Sequence, residues 1–215
     1  MDRDDVWKAI DDQRRRLIEL LEDLSDKEWR EPSLCRGWTV RDVAAHVALQ
    51  NTTWSAMPRA VVDIARFGGM NGAIQAIACR HAASPTDQII GEIRERIGVW
   101  RPLPTVAYQD TLIDYLVHTQ DIAIPLERAM DMRADVAAVA AERVWTSARM
   151  FHARKKLAGY RLIADDTTWS VGQGQEVTGP ISALLLLLTG RAAALPRLSG
   201  AGTAALQARF VDVQP

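Results

Sequence analysis

Val6, Ile10, Leu17, Leu21 and Leu24 follow one another at intervals of four, seven, four and three residues. Such spacing puts apolar side chains on one face of an α-helix, and that face must be covered by another element. The pattern recurs. Thr39 stands before Val40, Val43, Ala44 and Val47, with Asp42 placed to close a capping box. Ser84-Pro85 reads as a cap followed by proline at the first helical position, and Ile89, Ile90, Ile93, Ile97 and Trp100 come after it. Further helices are predicted from about Asp110 to Ile124, stopped by Pro125, and from about Ala134 to Lys156, with Val136, Val139, Ala140 and Phe151 among the apolar residues. Ser25-Asp26-Lys27-Glu28 reads as a second capping box opening a short helix that carries Trp29. Loops are expected over Glu31 to Trp38 and Arg101 to Thr105, and Pro58 and Gly68-Gly69 break the intervening stretch into short helices. Several amphipathic helices with short connections predict a mainly α protein built on an antiparallel helical bundle.

The pattern changes near Gly159. Tyr160 to Ala164 reads as a strand, Asp165 to Thr168 as a turn and Trp169-Ser170-Val171 as a returning strand. Gly172, Gly174 and Gly179-Pro180 punctuate the next stretch, and Ile181 to Leu188 reads as a buried helix ended by Gly190. A last helix is expected over Thr203 to Phe210. The expected organisation is a helical bundle over 1–157 and a small α/β appendage over 158–215.

Composition narrows the function classes. Lys+Arg 26 against Asp+Glu 27 gives a net charge of -1, which argues against a nucleic-acid binder that works by bulk positive charge. The Thr39 to Ala44 stretch resembles the first helix of a helix-turn-helix, but it runs on helically and no basic recognition helix comes after it. Gly172-x-Gly174 lacks the third glycine of a dinucleotide fingerprint, with Val177 in its place. The leucine run is far short of the roughly 20 residues that cross a bilayer. An N-terminus without an apolar stretch and only two cysteines, Cys35 and Cys79, point to a cytoplasmic protein without a disulfide framework. Only 4 of the basic residues are lysine, a bias that suggests a GC-rich genome.

Four histidines are present. His81 and His152 fall near predicted helix C-termini, where the helix dipole favours a cation, and need no further role. His46 lies within an apolar helical stretch, near the core-facing stripe. Buried there it needs hydrogen-bond partners or a metal, and on this stretch alone a satisfied core histidine is the favoured reading. Asp114 and His118 stand at i and i+4, so one turn of helix points a carboxylate and an imidazole the same way, with Asp121 at i+7 on nearly the same face. Taken alone the pair could be a surface charge pair worth about 0.2–0.5 kcal/mol. Joined by His46 from another helix it makes a His/Asp/His set suited to Zn²⁺ or another divalent transition ion, with Asp121 or Gln120 orienting a ligand from behind.

The stretch Pro32-Ser33-Leu34-Cys35-Arg36-Gly37-Trp38-Thr39-Val40-Arg41-Asp42-Val43-Ala44-Ala45-His46 resembles the motif after the first helix of the mycothiol-dependent maleylpyruvate isomerase family. That family belongs to the DinB/YfiT-like helical bundles. Asp114 to Asp121 resembles the family's second motif, and Trp169-Ser170-Val171-Gly172 with Leu187-Leu188-Thr189-Gly190-Arg191 resembles its C-terminal region. The resemblance implies a four-helix bundle carrying a divalent metal, usually zinc, followed by a small α/β domain. It implies His46, Asp114 and His118 as metal ligands, although the family commonly has Glu where this chain has Asp114.

The implied chemistry uses mycothiol or a similar low-molecular-weight thiol on a small electrophilic substrate, ending in isomerisation or in S-transfer. Arg191 is the candidate for holding a substrate carboxylate, with a plain helix-end arginine as the alternative. Cys35 has no neighbouring His or Lys in sequence and reads as loop packing; Trp38 and Trp54 read as core. Neither a nucleic-acid nor a membrane partner is expected. The chain is expected to be a monomer, or a homodimer through apolar residues between Ala60 and Ala83. The rival expectation is a non-catalytic bundle that binds metal or a small ligand.

Overall fold

The computed structural model describes residues 1–49, 66, 69–102, 106–147 and 151–211. The readings at Trp54, Pro58 and Gly68 lie outside the described residues, as does most of the stretch from Ala60 to Gly69. The chain divides into two compact units, one of Asp2–Met130 and one of the residues from Asp131 onward together with Met1. No helix among the described residues is long and apolar enough to cross a membrane.

The first unit is a four-helix bundle. Helix α1 (Arg3–Glu22) is capped by Asp2, whose side chain accepts from the backbone of Asp5. It buries Val6, Ile10, Leu17 and Leu21, the stripe read from sequence. Helix α2 (Val40–Ala48) begins at the expected capping box, with Thr39 N donating to Asp42 Oδ2 (2.8 Å) and Asp42 N to Thr39 Oγ1 (3.2 Å). Helices α3 (Met70–His81), α4 (Thr86–Arg94) and α5 (Tyr108–Ala123) come next. Pro85 occupies the N-cap of α4, one residue earlier than the first helical position expected. Helices α1 and α2 each pack against both α4 and α5, which closes a square of four, and α3 packs on α2. The Ser25–Glu28 box forms as read, and the 3-10 turn Glu28–Arg30 buries Trp29.

A buried ion pair sits inside this unit. Arg14 falls on the buried stripe of α1 with no exposed surface. Its Nη1 donates to Asp11 Oδ1 (2.9 Å) and to the carbonyl of Arg96 (2.6 Å). Asp11 also accepts from Gly98 N (3.1 Å) and Trp100 Nε1 (2.9 Å), so the loop after α4 is tied to α1 through one carboxylate.

The second unit begins with α6 (Ala134–Thr146), read from sequence as the opening of one helix reaching Lys156. Ser147 leaves the helix in an extended conformation, and α7 (Ala153–Lys156) starts after His152, which adopts a left-handed φ of 52°. The apolar periodicity runs through this break, which is why it reads as continuous. Strands β1 (Gly159–Ala164) and β2 (Ser170–Gly172) pair antiparallel as expected, with Leu162 opposite Val171. Strand β3 (Gly174–Gly179), not anticipated, pairs parallel to β1 on its other side, giving the order β2-β1-β3.

Only Gln173 separates β2 from β3, so the chain passes close over the start of β1. A Cβ on Gly172 would lie 2.4 Å from the Tyr160 carbonyl oxygen, and one on Gly174 would lie 2.0 Å from that of Gly159. Glycine at both positions is what permits this connection. Helix α8 (Ile181–Leu188) is the leucine run, buried against α6 and β1. It ends as read: Gly190 has φ 87°, Gly190 N donates to Leu187 O and Arg191 N to Leu186 O, a Schellman ending. The six-residue 3-10 segment Ala192–Arg197 and α9 (Thr203–Val211) complete the unit.

Candidate metal centre

Two helices of the first unit carry the candidate site. Helix α5 presents Asp114 and His118 one turn apart, and α2 presents His46. Each of the three offers one ligand atom, and these atoms lie within 4.8 Å of one another. The two imidazoles meet edge to face, ring centroids 4.9 Å apart and planes at 78°.

The loop before α2 braces both histidines. Pro32 and Thr39 form a bridge, Ser33 N donates to Trp38 O (2.9 Å), Trp38 N to Cys35 O (3.0 Å), and Gly37 takes a φ of 76° between them. Leu34 N donates to the carbonyl of Asp121 (3.0 Å), which fastens this loop to the end of α5. From it, Trp38 packs edge-on against His46, centroids 5.5 Å apart. Cys35 Sγ reaches across to Asp121 Oδ2 at 3.1 Å and lies 3.8 Å from His118 Nδ1.

Cys35 therefore does more than pack a loop. Its His and Asp neighbours come from a helix more than eighty residues away, and no local sequence signal announces them. Likewise the half-buried Trp38 has a specific neighbour in His46. The i+7 position of Asp121 carried the one usable signal, and its fully buried carboxylate does sit against His118, Oδ2 to Nδ1 at 2.8 Å.

The two histidines titrate in opposite directions. Burial pushes His46 down to about 3, and the nearby His118 charge pushes it further than Asp121 restores it. Burial also acts against charge on His118, but its hydrogen bonds to Asp121 and Cys35 and the negative charges of Asp121 and Asp114 outweigh it and raise His118 to about 10. Without an ion, then, His46 is a neutral base and His118 holds a proton shared with Asp121. With Nδ1 turned to Asp121, Nε2 is the nitrogen of His118 left for a ligand role, an arrangement by which carboxylates orient metal-binding imidazoles. Two imidazoles and a carboxylate converging from two helices fit a borderline divalent ion such as zinc.

The remaining histidines stand apart. His81 ends α3 as expected and meets Glu92 Oε2 at 2.5 Å; His152 precedes α7 instead of ending a helix. Arg191 lies in the second unit, where its Nη1 donates to the Thr189 carbonyl at 2.8 Å.

A family model for the mycothiol maleylpyruvate isomerase N-terminal domain matches residues 10–123, more than half of the chain. The chain belongs to this family. The match ends with α5, so it takes in His46, Asp114 and His118 and leaves Arg191 outside. Two solved structures of a mycothiol-dependent maleylpyruvate isomerase, one of them a histidine-to-alanine mutant, superpose on this maleylpyruvate isomerase family member with TM-scores of 0.59 and 0.60. Each is 14% identical and covers 94% of both chains. At that identity the likeness establishes the fold, a DinB-like bundle followed by a small α/β part. No curated protein matches the chain.

Proposed function

We propose that this protein is a divalent-metal-dependent enzyme that uses a low-molecular-weight thiol, mycothiol in the isomerases it resembles, to act on a small electrophilic substrate. The observation that carries the reading is the convergence of His46, Asp114 and His118, with donor atoms within 4.8 Å, in a chain of this family. These three side chains would hold the ion, zinc by the chemistry of the donors. When bound, it would favour the thiolate of an incoming thiol, the nucleophile for an activated double bond.

The chain's own residues prepare this chemistry. Burial keeps His46 neutral, the form that can donate a lone pair. Asp121 fixes the orientation of His118, and the loop from Pro32 to Thr39 holds Trp38 and Cys35 against the two imidazoles. Addition of a thiolate, rotation about the bond and departure of the thiolate give isomerisation; retention of the adduct gives S-transfer. Arg191 is assigned to a substrate carboxylate on the chemistry of its guanidinium, and Arg191→Gln is expected to raise KM. The protein is read as a cytoplasmic monomer or homodimer.

The test pairs metal content with turnover. Protein purified without chelator is assayed for metal beside His46→Ala, and both are mixed with thiol and a cis-configured unsaturated acid. The wild type is expected to carry about one equivalent of metal per chain and to yield a thiol-dependent trans isomer or thioether; His46→Ala is expected to lose both with its helical content unchanged. Equal metal in the two proteins would sink the site. Metal without any thiol-dependent product would leave a non-catalytic binder.

A further inference from the structure

Beside the His46 set lies a second convergence of donors around His118, in which Cys35 and Asp121 serve the proposed reaction only by holding that ring in place. Cys35 Sγ, His118 Nδ1 and Asp121 Oδ2 stand 3.1 Å (S to O), 3.8 Å (S to N) and 2.8 Å (N to O) apart. Ligand bonds of about 2.0–2.3 Å at tetrahedral angles place donors roughly 3.3–3.8 Å from each other. The sulfur–nitrogen separation already meets that figure, and the other two need to open by less than about 1 Å.

The three donors are held in advance. Cys35 N donates to Ser33 Oγ (3.1 Å), and Leu34 N donates to the Asp121 carbonyl, so the sulfur is docked on the end of α5 by backbone bonds. Asp121 is fully buried, whereas Cys35 is partly exposed and is not in a disulfide. The trio thus joins a buried carboxylate to a partly exposed cysteine.

We propose that Cys35, His118 and Asp121 form a second cation site, selective for a soft, thiophilic ion and sharing the His118 ring with the first set. Sulfur ligands select soft ions, which the nitrogen and oxygen donors of His46 and Asp114 do not. The ion replaces the thiol hydrogen and the hydrogen on His118 Nδ1, both of which leave to solvent as protons, and no electron is exchanged. This site stands whether or not the His46 set supports catalysis.

Cadmium is the probe. Titrated into the reduced, metal-free protein, it is expected to produce an ultraviolet sulfur-to-cadmium charge-transfer band that saturates at one equivalent. The band is expected to survive in Cys79→Ser and in His46→Ala, to vanish in Cys35→Ser, and to need at least about tenfold more cadmium in Asp121→Asn. Should Cys35→Ser lose its helical circular dichroism, the cadmium NMR shift of the wild type decides, because a sulfur ligand moves it far downfield of nitrogen and oxygen donors. A band that persists in Cys35→Ser, disappears in Cys79→Ser, or is indifferent to Asp121→Asn would overturn the proposal. So would cadmium bound without a sulfur band. Loss of turnover in His46→Ala with the band intact separates this site from the proposed catalytic one.

Discussion

Remove the ion with a chelator, and the two histidines should give the protein a stability maximum near neutral pH. The unfolded chain titrates both imidazoles near 6.5. Folded, His118 is raised to about 10, so between those values the native state holds one proton more than the unfolded state. Its contribution is complete below 6.5 and is lost as pH rises through 10, at about 1.4 kcal/mol per pH unit. From about pH 7 to pH 9 that amounts to roughly 2–3 kcal/mol, a large part of an ordinary domain's stability.

His46 works the other way. Lowered to about 3, it binds no proton in the folded state where the unfolded chain does, so stability falls as pH drops through 6.5 toward 3. Urea unfolding at half-unit steps from about pH 5 to pH 9 measures both limbs. Asp121→Asn removes the carboxylate that outweighs burial at His118 and should flatten the alkaline limb; His46→Ala should flatten the acid limb above the range where carboxylates titrate. An alkaline slope unchanged in Asp121→Asn would refute the argument, because it would mean that His118 does not owe its proton to that contact.

Two further outcomes test the scaffold. Asp11→Ala leaves Arg14 buried without its counter-charge and also strips Gly98 N and Trp100 Nε1 of their acceptor, so a loss of about 3–5 kcal/mol is expected by urea unfolding. Replacing Asp11 and Arg14 together by apolar residues should recover most of it, and failure to recover would place the cost in the severed loop anchor. Gly174→Ala forces a Cβ to 2.0 Å from the Gly159 carbonyl at a φ of 125°. It should cost about 2–4 kcal/mol, and hydrogen exchange should localise the opening to β1 and β3.

Periodicity governs how much of this molecule is legible in its sequence. The α1 stripe, the Thr39 box, the hairpin around Asp165 and the Gly190 ending are local patterns, and each appears where the residues place it. Asp114, His118 and Asp121 share a helical face for the same reason. The misses are all non-local or cross a break in periodicity. Arg14 has helical spacing to Ile10 and Leu17, yet nothing nearby says that Asp11 and a carbonyl beyond α4 will hold it. Strand β3 is written in glycines and polar residues, and it exists because β1 offers it an edge. Cys35 acquires its neighbours only when its loop docks on α5.

The resemblance implies a glutamate where this chain has Asp114, which bears on whether the proposed site can close on an ion. A carboxylate one methylene shorter must be brought nearer by the backbone or by its partners. Here Asp114 still falls within 4.8 Å of donors on both histidines, and the partner helix accounts for it. The α2 residues Val43, Ala44 and Val47, which flank His46, are small or β-branched and have no exposed surface. Helix α2 packs against α5, and these neighbours of His46 are among its buried residues. A lone Asp114→Glu change would lengthen the arm without widening the spacing of the two helices. The expected result is weaker zinc binding by equilibrium dialysis despite the restored family residue, and tighter binding would show that the reach of Asp114, not the approach of the helices, limits the site.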